Sequence, residues 1–109
     1  MEFENKIQIR GIVGRAEYTK NGDKTILRMN VVTNRSYRMS DDQMYIESTW
    51  FNVTGTDSGK TKIPEQIERQ SWVEVKGFLR NRRYVGTDGM ERTTPEVVAT
   101  EITLLDKNE

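Results

Sequence analysis

The segment Arg80-Asn-Arg-Arg-Tyr84 carries three guanidinium groups and one aromatic ring within five residues. Alternate side chains of a strand share a face, so we expect Arg80, Arg82 and Tyr84 to line one side of a strand. Arginine neutralises phosphate and an aromatic ring stacks on any base, which is what a groove for single-stranded nucleic acid requires. The sequence therefore indicates binding chemistry on this strand.

Composition argues against several kinds of catalytic and metal site. The chain of 109 residues has no Cys and no His, so it lacks disulfides, thiolate and imidazole ligands and the usual general base. We interpret Asp41-Asp42 as a solvated loop rather than a cation site, because no further carboxylates follow at fixed spacing. We expect neither an enzyme nor a cofactor. No transmembrane span or signal peptide is apparent, so the cytoplasm, at the nucleoid, is the expected location.

The charge of the chain is balanced in sum and uneven along its length. It has 17 Lys and Arg and 17 Asp and Glu, a formal net charge of zero. Up to Arg38, however, the sequence contains eight Lys and Arg residues and only four Asp and Glu residues. A zero sum can therefore hide a basic groove, and the alternative, a mixed and solvated surface, stays open.

Alternation and turn signals predict five strands and one short helix. Asn21-Gly22 is a strong hairpin signal, and no internal repeat is apparent. Pro64 and Glu65 suit a helix start within residues 61–70. We expect Val73, Val75 and Leu79 to face inward on one strand, and Val98, Ile102 and Leu104 to share a face on the last. The predicted strands cover residues 6–13, 25–33, 45–53, 73–80 and 97–105.

This order predicts an all-β protein. Antiparallel strands with glycine bends favour a small closed barrel, because closure removes exposed strand edges. A helix between the third and fourth strands is typical of the OB-fold, a five-stranded Greek-key barrel. We therefore expect a single OB-fold domain over residues 1–109, with its core at about residues 5–105; an SH3-like or other small barrel is the alternative from pattern alone.

Several segments resemble the bacterial single-stranded DNA-binding protein (SSB) family. The resemblance covers nearly all of residues 5–105, and the part from Gly77 to Val97 is the most specific. The matching pieces are Asn5-Lys-Ile7, Gly14-Arg15, Tyr18 to Gly22, Thr49-Trp-Phe-Asn-Val53, Trp72 to Gly77, Leu79-Arg80, Arg82, Asp88-Gly89, Arg92-Thr-Thr94 and Glu96-Val97.

The resemblance implies sequence-independent binding of single-stranded DNA in replication, recombination or repair, by a homotetramer or dimer. Tyr37 and Tyr84 stand where the family often has stacking Trp residues, and Trp50 matches a third stacking position. Phe51 occupies a position that the family associates with subunit contacts. The chain stops at Lys107-Asn-Glu109, without the family's acidic tail, so we expect a short form that does not recruit enzymes by that route.

The residues themselves support the same binding site. Trp50 would share its face with the polar Ser48 and Asn52, which favours an exposed stacking role, whereas Tyr45, Phe51 and Val53 on the other face are expected in the core or a subunit interface. Stacking on Tyr37, Trp50 and Tyr84 is the prediction. The candidate phosphate partners are Arg10, Arg15, Arg28, Arg35, Arg80, Arg82 and Arg83.

The sequence is also compatible with two other classes of function. An OB-fold interaction subunit of a primosome-like replication-restart complex would fit the zero net charge and the missing tail. A nuclease has little support, because the sequence has no His and no apparent carboxylate cluster.

Overall fold

Five long strands close into a barrel. A computed structural model describes residues 1–58 and 61–105, and the strands adjoin in the order β1-β2-β3-β5-β4. Neighbours are antiparallel apart from a short parallel contact between β3 and β5. This is the OB-fold topology, so the predicted all-β, five-stranded barrel is confirmed. The strands are β1 Ile7–Asn21, β2 Lys24–Arg38, β3 Met44–Thr56, β4 Trp72–Val85 and β5 Glu91–Leu105.

The barrel interior is filled mainly by branched aliphatic side chains, which suit the pleated surface of a strand. They alternate with polar residues along each strand, so one face is buried and the other meets solvent. The buried apolar residues are Ile9, Val13, Leu27, Met29, Val31, Val53, Ile63, Ile67, Val73, Val75, Val97, Ala99 and Ile102.

The first hairpin forms where the sequence predicts it, with the turn moved by one residue. Asn21 still pairs with Lys24, so the two loop residues are Gly22 and Asp23. Gly22 has φ 65°, a conformation that glycine adopts without steric cost at the first central position of a tight hairpin turn.

A bulge near the middle of β5 changes which residues face the core. Gly77 pairs with Ala99 while Lys76 pairs with Glu101, so Thr100 is an extra residue that donates its hydroxyl to Lys76 O at 3.1 Å. The bulge reverses the alternation of β5. The predicted face of Val98, Ile102 and Leu104 is therefore wrong in part.

The side chains before and after this bulge show the change directly. Val97 and Ala99 are buried before it and Ile102 after it, whereas Leu104 is exposed. Leu79 pairs with the buried Val97 and so shares the predicted inward face, but it is 42% exposed rather than buried. An extra residue in a strand cannot be read from an alternation pattern that assumes a period of two.

The predicted helix over residues 61–70 is wrong, since the segment contains two turns and no helix. The Tyr18 hydroxyl donates to Pro64 O and accepts from Ile67 N at 3.1 Å. Contacts of this kind engage backbone groups that a helix would pair internally. Ile63 and Ile67 are nevertheless buried, so their four-residue spacing indicated burial rather than helix.

Two hairpins continue beyond the barrel as two-stranded arms. The β2–β3 arm stays paired as far as Arg38 and Met44, and the β4–β5 arm as far as Val85 and Glu91. Within residues 1–58 and 61–105, no helix is long and apolar enough to span a bilayer. The expected chain end at Lys107 to Glu109 lies outside the described residues.

We predict that Tyr18→Phe destabilises the fold without changing its topology. The substitution removes both hydrogen bonds that hold residues 64–67 against β1, which should lower the free energy of unfolding by about 1–2 kcal/mol. Urea unfolding monitored by circular dichroism measures the change. Tyr84→Phe is the control, because the Tyr84 hydroxyl makes no hydrogen bond within residues 1–58 and 61–105 and its loss should leave the midpoint unchanged. Equal midpoints for both variants would contradict the assigned role of Tyr18.

Candidate nucleic-acid interface

A polar groove runs over the outer face of the barrel, between the β1–β2–β3 sheet and the β4–β5 arm. Its floor follows the strand register, since Arg15 pairs with Asn30 and Asn30 pairs with Asn52. We call this surface the polar groove; its lining side chains are Arg15, Arg28, Asn30, Asn52, Thr54, Arg82, Thr94 and Glu96. Three guanidinium groups against one carboxylate make it cationic, although the chain as a whole is neutral.

Trp50 borders the polar groove and lies on the outer face, as predicted. It is 56% exposed, and it precedes Asn52 by two residues on the same face of β3. Its ring lies on Gly14: a Cβ atom at Gly14 would come within 2.6 Å of Trp50 Cζ3 and 2.9 Å of Asn30 Oδ1. Gly14 is the extra residue of a bulge between Val13 and Arg15. The ring therefore rests on bare backbone on one side and has its other side open.

Glu96 organises the cations at the edge of the polar groove. Its side chain is only 5% exposed, and its Oε1 accepts from Arg80 Nη2 at 2.8 Å and Arg80 Nε at 3.2 Å. Its Oε2 lies 3.9 Å from Arg82 Nε. Charge-assisted hydrogen bonds of this kind restrict the guanidinium plane. Arg80 is thus held firmly, while Arg82 is attracted by the same carboxylate and keeps its donors available.

The other arginines predicted to bind phosphate do not line the polar groove. Arg10 pairs with Glu74 across β1 and β4 at 2.7 Å, and its hydrogen bond holds the pKa of Glu74 below the ordinary value. Arg83 lies on the reverse face of the β4–β5 arm from Arg82 and is 3.5 Å from Glu91. Arg35 lies over the Tyr37 ring at 5.4 Å.

The two predicted stacking tyrosines sit on the two arms. Tyr84 is 43% exposed and shares the face of Arg80 and Arg82, in line with strand alternation. Tyr37 is half-buried, and the unbroken β2–β3 register puts it on the face opposite Trp50. The structure therefore brings Trp50 and Arg82 to the polar groove and leaves Tyr37 outside it.

Several polar side chains of the groove were not identified from the sequence. Asn30, Asn52 and Thr54 are ordinary strand residues whose only signal is their place on the polar side of the alternation. Thr94 and Glu96 reach the same surface because the β4–β5 arm folds over it, a long-range contact that sequence spacing does not reveal. Among the described residues, no three His, Cys, Asp or Glu side chains are grouped so that they could hold a metal ion.

Tyr45, Phe51 and Val53 share the inward face, as predicted, but differ in burial. Val53 is buried and Phe51 is half-buried against the core. Tyr45 is 40% exposed, because β3 extends past the end of the barrel at this point. Tyr45 therefore does not lie in the core. A subunit-interface position for Tyr45 stays a prediction.

We predict that Gly14→Ala displaces the Trp50 ring while the fold persists. The new methyl group overlaps the ring at the flexible end of its side chain, so the free energy of unfolding should change by no more than about 1 kcal/mol. Trp50 emission, measured in a Trp72→Phe background, should shift and become more accessible to acrylamide. Gly22→Ala, which strains a turn with open space around it, should reduce stability without altering Trp50 emission. Identical emission and quenching in Gly14→Ala and its parent would refute the packing of Trp50 on Gly14.

Comparison with known proteins assigns the chain to a family. The sequence matches the single-strand binding protein family over residues 4–105. The single-stranded DNA-binding protein of Neisseria meningitidis serogroup A is 27% identical over 104 residues, which cover 93% of this chain and 59% of that protein. Single-stranded DNA-binding protein 1 of Xylella fastidiosa is 28% identical over 109 residues, which cover 96% of this chain and 79% of that protein. The chain thus spans a little under three-fifths of the length of its Neisseria relative.

Solved structures show the same fold. The SSB of Plasmodium falciparum in a complex with ssDNA has a TM-score of 0.79 and 19% identity, covering 97% of this chain and 98% of that one. A deletion mutant of the single-stranded DNA binding protein from Thermus aquaticus has a TM-score of 0.76 and 17% identity, covering 95% and 51%. The likeness establishes the OB-fold barrel, and the family match runs through all five of its strands. The chain belongs to the single-strand binding protein family.

Proposed function

We propose that this protein binds single-stranded DNA without reading its sequence. The observation that carries the proposal is the polar groove, which is lined by Arg15, Arg28 and Arg82 and is bordered at Gly14 and Asn30 by the exposed ring of Trp50. Cations along a backbone track and a ring for base stacking are the two components that non-specific binding of a single strand needs. Family membership supports the proposal and favours it over a primosome-like interaction subunit.

The geometry ranks the candidate contacts. Arg15, Arg28 and Arg82 are the primary phosphate partners, with Arg80 at the groove edge held by Glu96. Trp50 is the stacking platform at the groove, and Tyr84 is the platform on the same face of the β4–β5 arm as Arg82. Arg35 and Tyr37 would act on the β2–β3 arm, and Arg10 and Arg83 are weaker candidates because acidic neighbours already pair with them.

Binding without a chemical step is part of this proposal, as is a role in replication, recombination or repair in the cytoplasm. Exposed single strands form in all three processes, and a binder that tolerates any sequence can cover them. The absence of His and Cys from the sequence removes the commonest acid–base and nucleophilic groups. The names of the relatives, all single-stranded DNA-binding proteins, support the same substrate.

We predict tight binding of oligo-dT that weakens as salt rises. Three phosphate contacts in the polar groove should give a slope of about −2 in log K against log salt, since each contact on a single strand contributes roughly −0.7. Arg82→Gln should make this slope shallower by about 0.7.

Trp50→Ala should weaken binding by roughly 1–3 kcal/mol with little change in melting temperature, because the ring is largely exposed. Anisotropy of a labelled oligonucleotide measures all three.

Two comparisons make this test decisive. Trp72→Phe changes the other tryptophan and should leave the affinity for oligo-dT unchanged. Duplex DNA of the same length should bind much more weakly than the single strand. Equal affinity for both forms, or binding that ignores salt, would refute the proposed function; a large loss of stability in Trp50→Ala with unchanged affinity would refute the stacking role.

We also propose a homotetramer, or at least a dimer. Family membership supports self-association, and several apolar side chains of the β4–β5 region are more than a third exposed, namely Trp72, Phe78, Leu79 and Leu104. Phe51 packs against the core and so offers less surface to a partner than its position in the family suggests.

Sedimentation velocity at micromolar concentration should show a species near four times, or at least twice, the chain mass of 12.7 kDa. The expected driving force is burial of the apolar side chains on β4 and β5, so Leu79→Glu should lower the assembled mass while Val85→Glu, at the exposed arm, should not. A single sharp boundary at the monomer mass in the unmodified protein would rule out this assembly.

A further inference from the structure

The two arms end in the same backbone turn. In the β2–β3 arm, Met39 N donates to Gln43 O at 3.2 Å, Asp42 N donates to Met39 O at 2.9 Å, and Asp42 has φ 65°. In the β4–β5 arm, Gly86 N donates to Met90 O at 2.9 Å, Gly89 N donates to Gly86 O at 3.0 Å, and Gly89 has φ 79°. Both are a tight turn followed by one left-handed residue.

An aspartate plays the same part in each turn. Asp41 Oδ1 accepts from Gln43 N at 3.0 Å, and Asp88 Oδ1 accepts from Met90 N at 3.1 Å. The second carboxylate oxygen holds the side chain four residues further on. Asp41 Oδ2 accepts from the Tyr45 hydroxyl at 2.8 Å, and Asp88 Oδ2 forms an ion pair with Arg92. Each turn therefore fixes one side chain of the returning strand.

That fixed side chain lies directly across from a tyrosine. Tyr45 pairs with Tyr37 in the β2–β3 register, and Arg92 pairs with Tyr84 in the β4–β5 register. Arginines precede the tyrosines by two residues, at Arg35 and Arg82. Residues 35–45 and 82–92 thus repeat the pattern Arg-x-Tyr-x-x-Ser/Thr-Asp-x-x-x-Tyr/Arg. The sequence alone showed no repeat, because only five of eleven positions are constrained and one of those differs in chemistry.

The exposed ring of the β2–β3 arm belongs to Tyr45. Tyr37 is half-buried. The Tyr45 ring stacks on it, with 5.9 Å between the ring centroids and 23° between the ring planes. The Cζ atom of Arg35 lies over it, 5.4 Å from the ring centroid. Tyr45 is exposed, and its hydroxyl is fixed by Asp41. A ring whose rotamer is already fixed loses less conformational entropy when a base stacks on it. Tyr45 is therefore the better placed platform of the pair.

We propose that Tyr45 and Arg92 are further single-strand contacts, with Asp41 and Asp88 as the positioning residues that hold them beside Tyr37 and Tyr84. The proposal rests on the proposed function of the chain. Tyr45 offers its ring to a base, and Arg92 offers its guanidinium plane, a group on which unstacked bases also stack. Each arm then ends in a two-residue platform rather than a single ring.

The Asp41 carboxylate is charged under the conditions in which the protein would meet DNA. The backbone hydrogen bond from Gln43, with that from the Tyr45 hydroxyl, holds the pKa of Asp41 below its ordinary value. The same contact raises the pKa of Tyr45, so its hydroxyl stays protonated as a donor. The hydrogen bond is present at neutral pH; it is lost as pH falls through the lowered pKa of Asp41 or rises through the raised pKa of Tyr45.

The first test is the affinity of the full chain for labelled oligo-dT. Tyr45→Ala should weaken binding about 5- to 150-fold, the range expected for one stacked base. Met44→Ala is the matched control, because Met44 is exposed next to Tyr45 but points to the other face of the arm; its affinity should stay within about twofold of the parent. Arg92→Lys, which keeps the charge and removes the plane, should weaken binding more than Met90→Ala. Melting temperatures should remain unchanged, since both turns lie outside the core.

The positioning role has its own readout. Asp41→Asn and Tyr45→Phe should each weaken binding by a smaller factor than Tyr45→Ala, and the double variant should be no weaker than either single one, because both remove the same hydrogen bond. Photocrosslinking with a 5-iodouracil oligonucleotide, mapped by mass spectrometry, should label Tyr45. If Asp41 had only a structural role, Asp41→Asn would change the stability of the fold and leave the crosslink to Tyr45 in place.

The outcomes separate this proposal from the proposed function. If the parent binds oligo-dT and Trp50→Ala weakens it, but Tyr45→Ala and Arg92→Lys bind as tightly as their controls, the two-residue platforms are refuted and single-strand binding stands. Crosslinking to Tyr37 with none to Tyr45 would likewise overturn the assignment of Tyr45. A parent chain that does not bind oligo-dT would overturn both.

Discussion

Strand register is the constraint on which the polar groove depends. Side chains alternate between the two faces of a strand, so a slip of one residue would carry Arg28, Asn30 and Asn52 into the core. The bulge at Gly14 shows how closely the two faces are controlled: Val13 and Arg15 are two apart, yet Val13 faces the core and Arg15 faces the groove. The extra residue also leaves bare backbone beneath Trp50. One local irregularity therefore supplies both a cation and the support for a ring.

The same constraint explains what could be predicted from the sequence. Strand alternation places Trp50 outside and Val53 inside, and it puts Arg80, Arg82 and Tyr84 on one face, because each of these runs has an unbroken period of two. It fails on β5, where the bulge at Thr100 reverses the faces, and over residues 61–70, where Tyr18 takes the hydrogen bonds that a helix would use. In both cases a contact between residues far apart in sequence decides the local structure.

The candidate site, like the fold, could be predicted from the sequence only in part. Residue type identifies cations and rings, so Arg15, Arg82 and Trp50 were found. Residue type does not reveal which cations already have an acidic partner, and the pairing of Arg10 with Glu74 depends on two strands that meet only in the barrel. Glu96 and Asp41 were not identified from the sequence, because an acidic residue is not expected on a surface that would bind a polyanion. Each contributes by positioning the side chain that it hydrogen-bonds.

Acidic residues that hold arginines help to explain how a neutral chain can belong to a family of nucleic-acid binders. Glu96 and Asp88 each hold an arginine, so part of the negative charge is used to orient positive charge rather than to oppose it. Such pairs nearly cancel at long range because their opposite charges lie close together, and salt screens the field that remains. Long-range attraction of the DNA would then be modest, and affinity would depend on contacts made at short range. Held guanidinium planes and rings suit that balance, since they lose little freedom when a strand arrives.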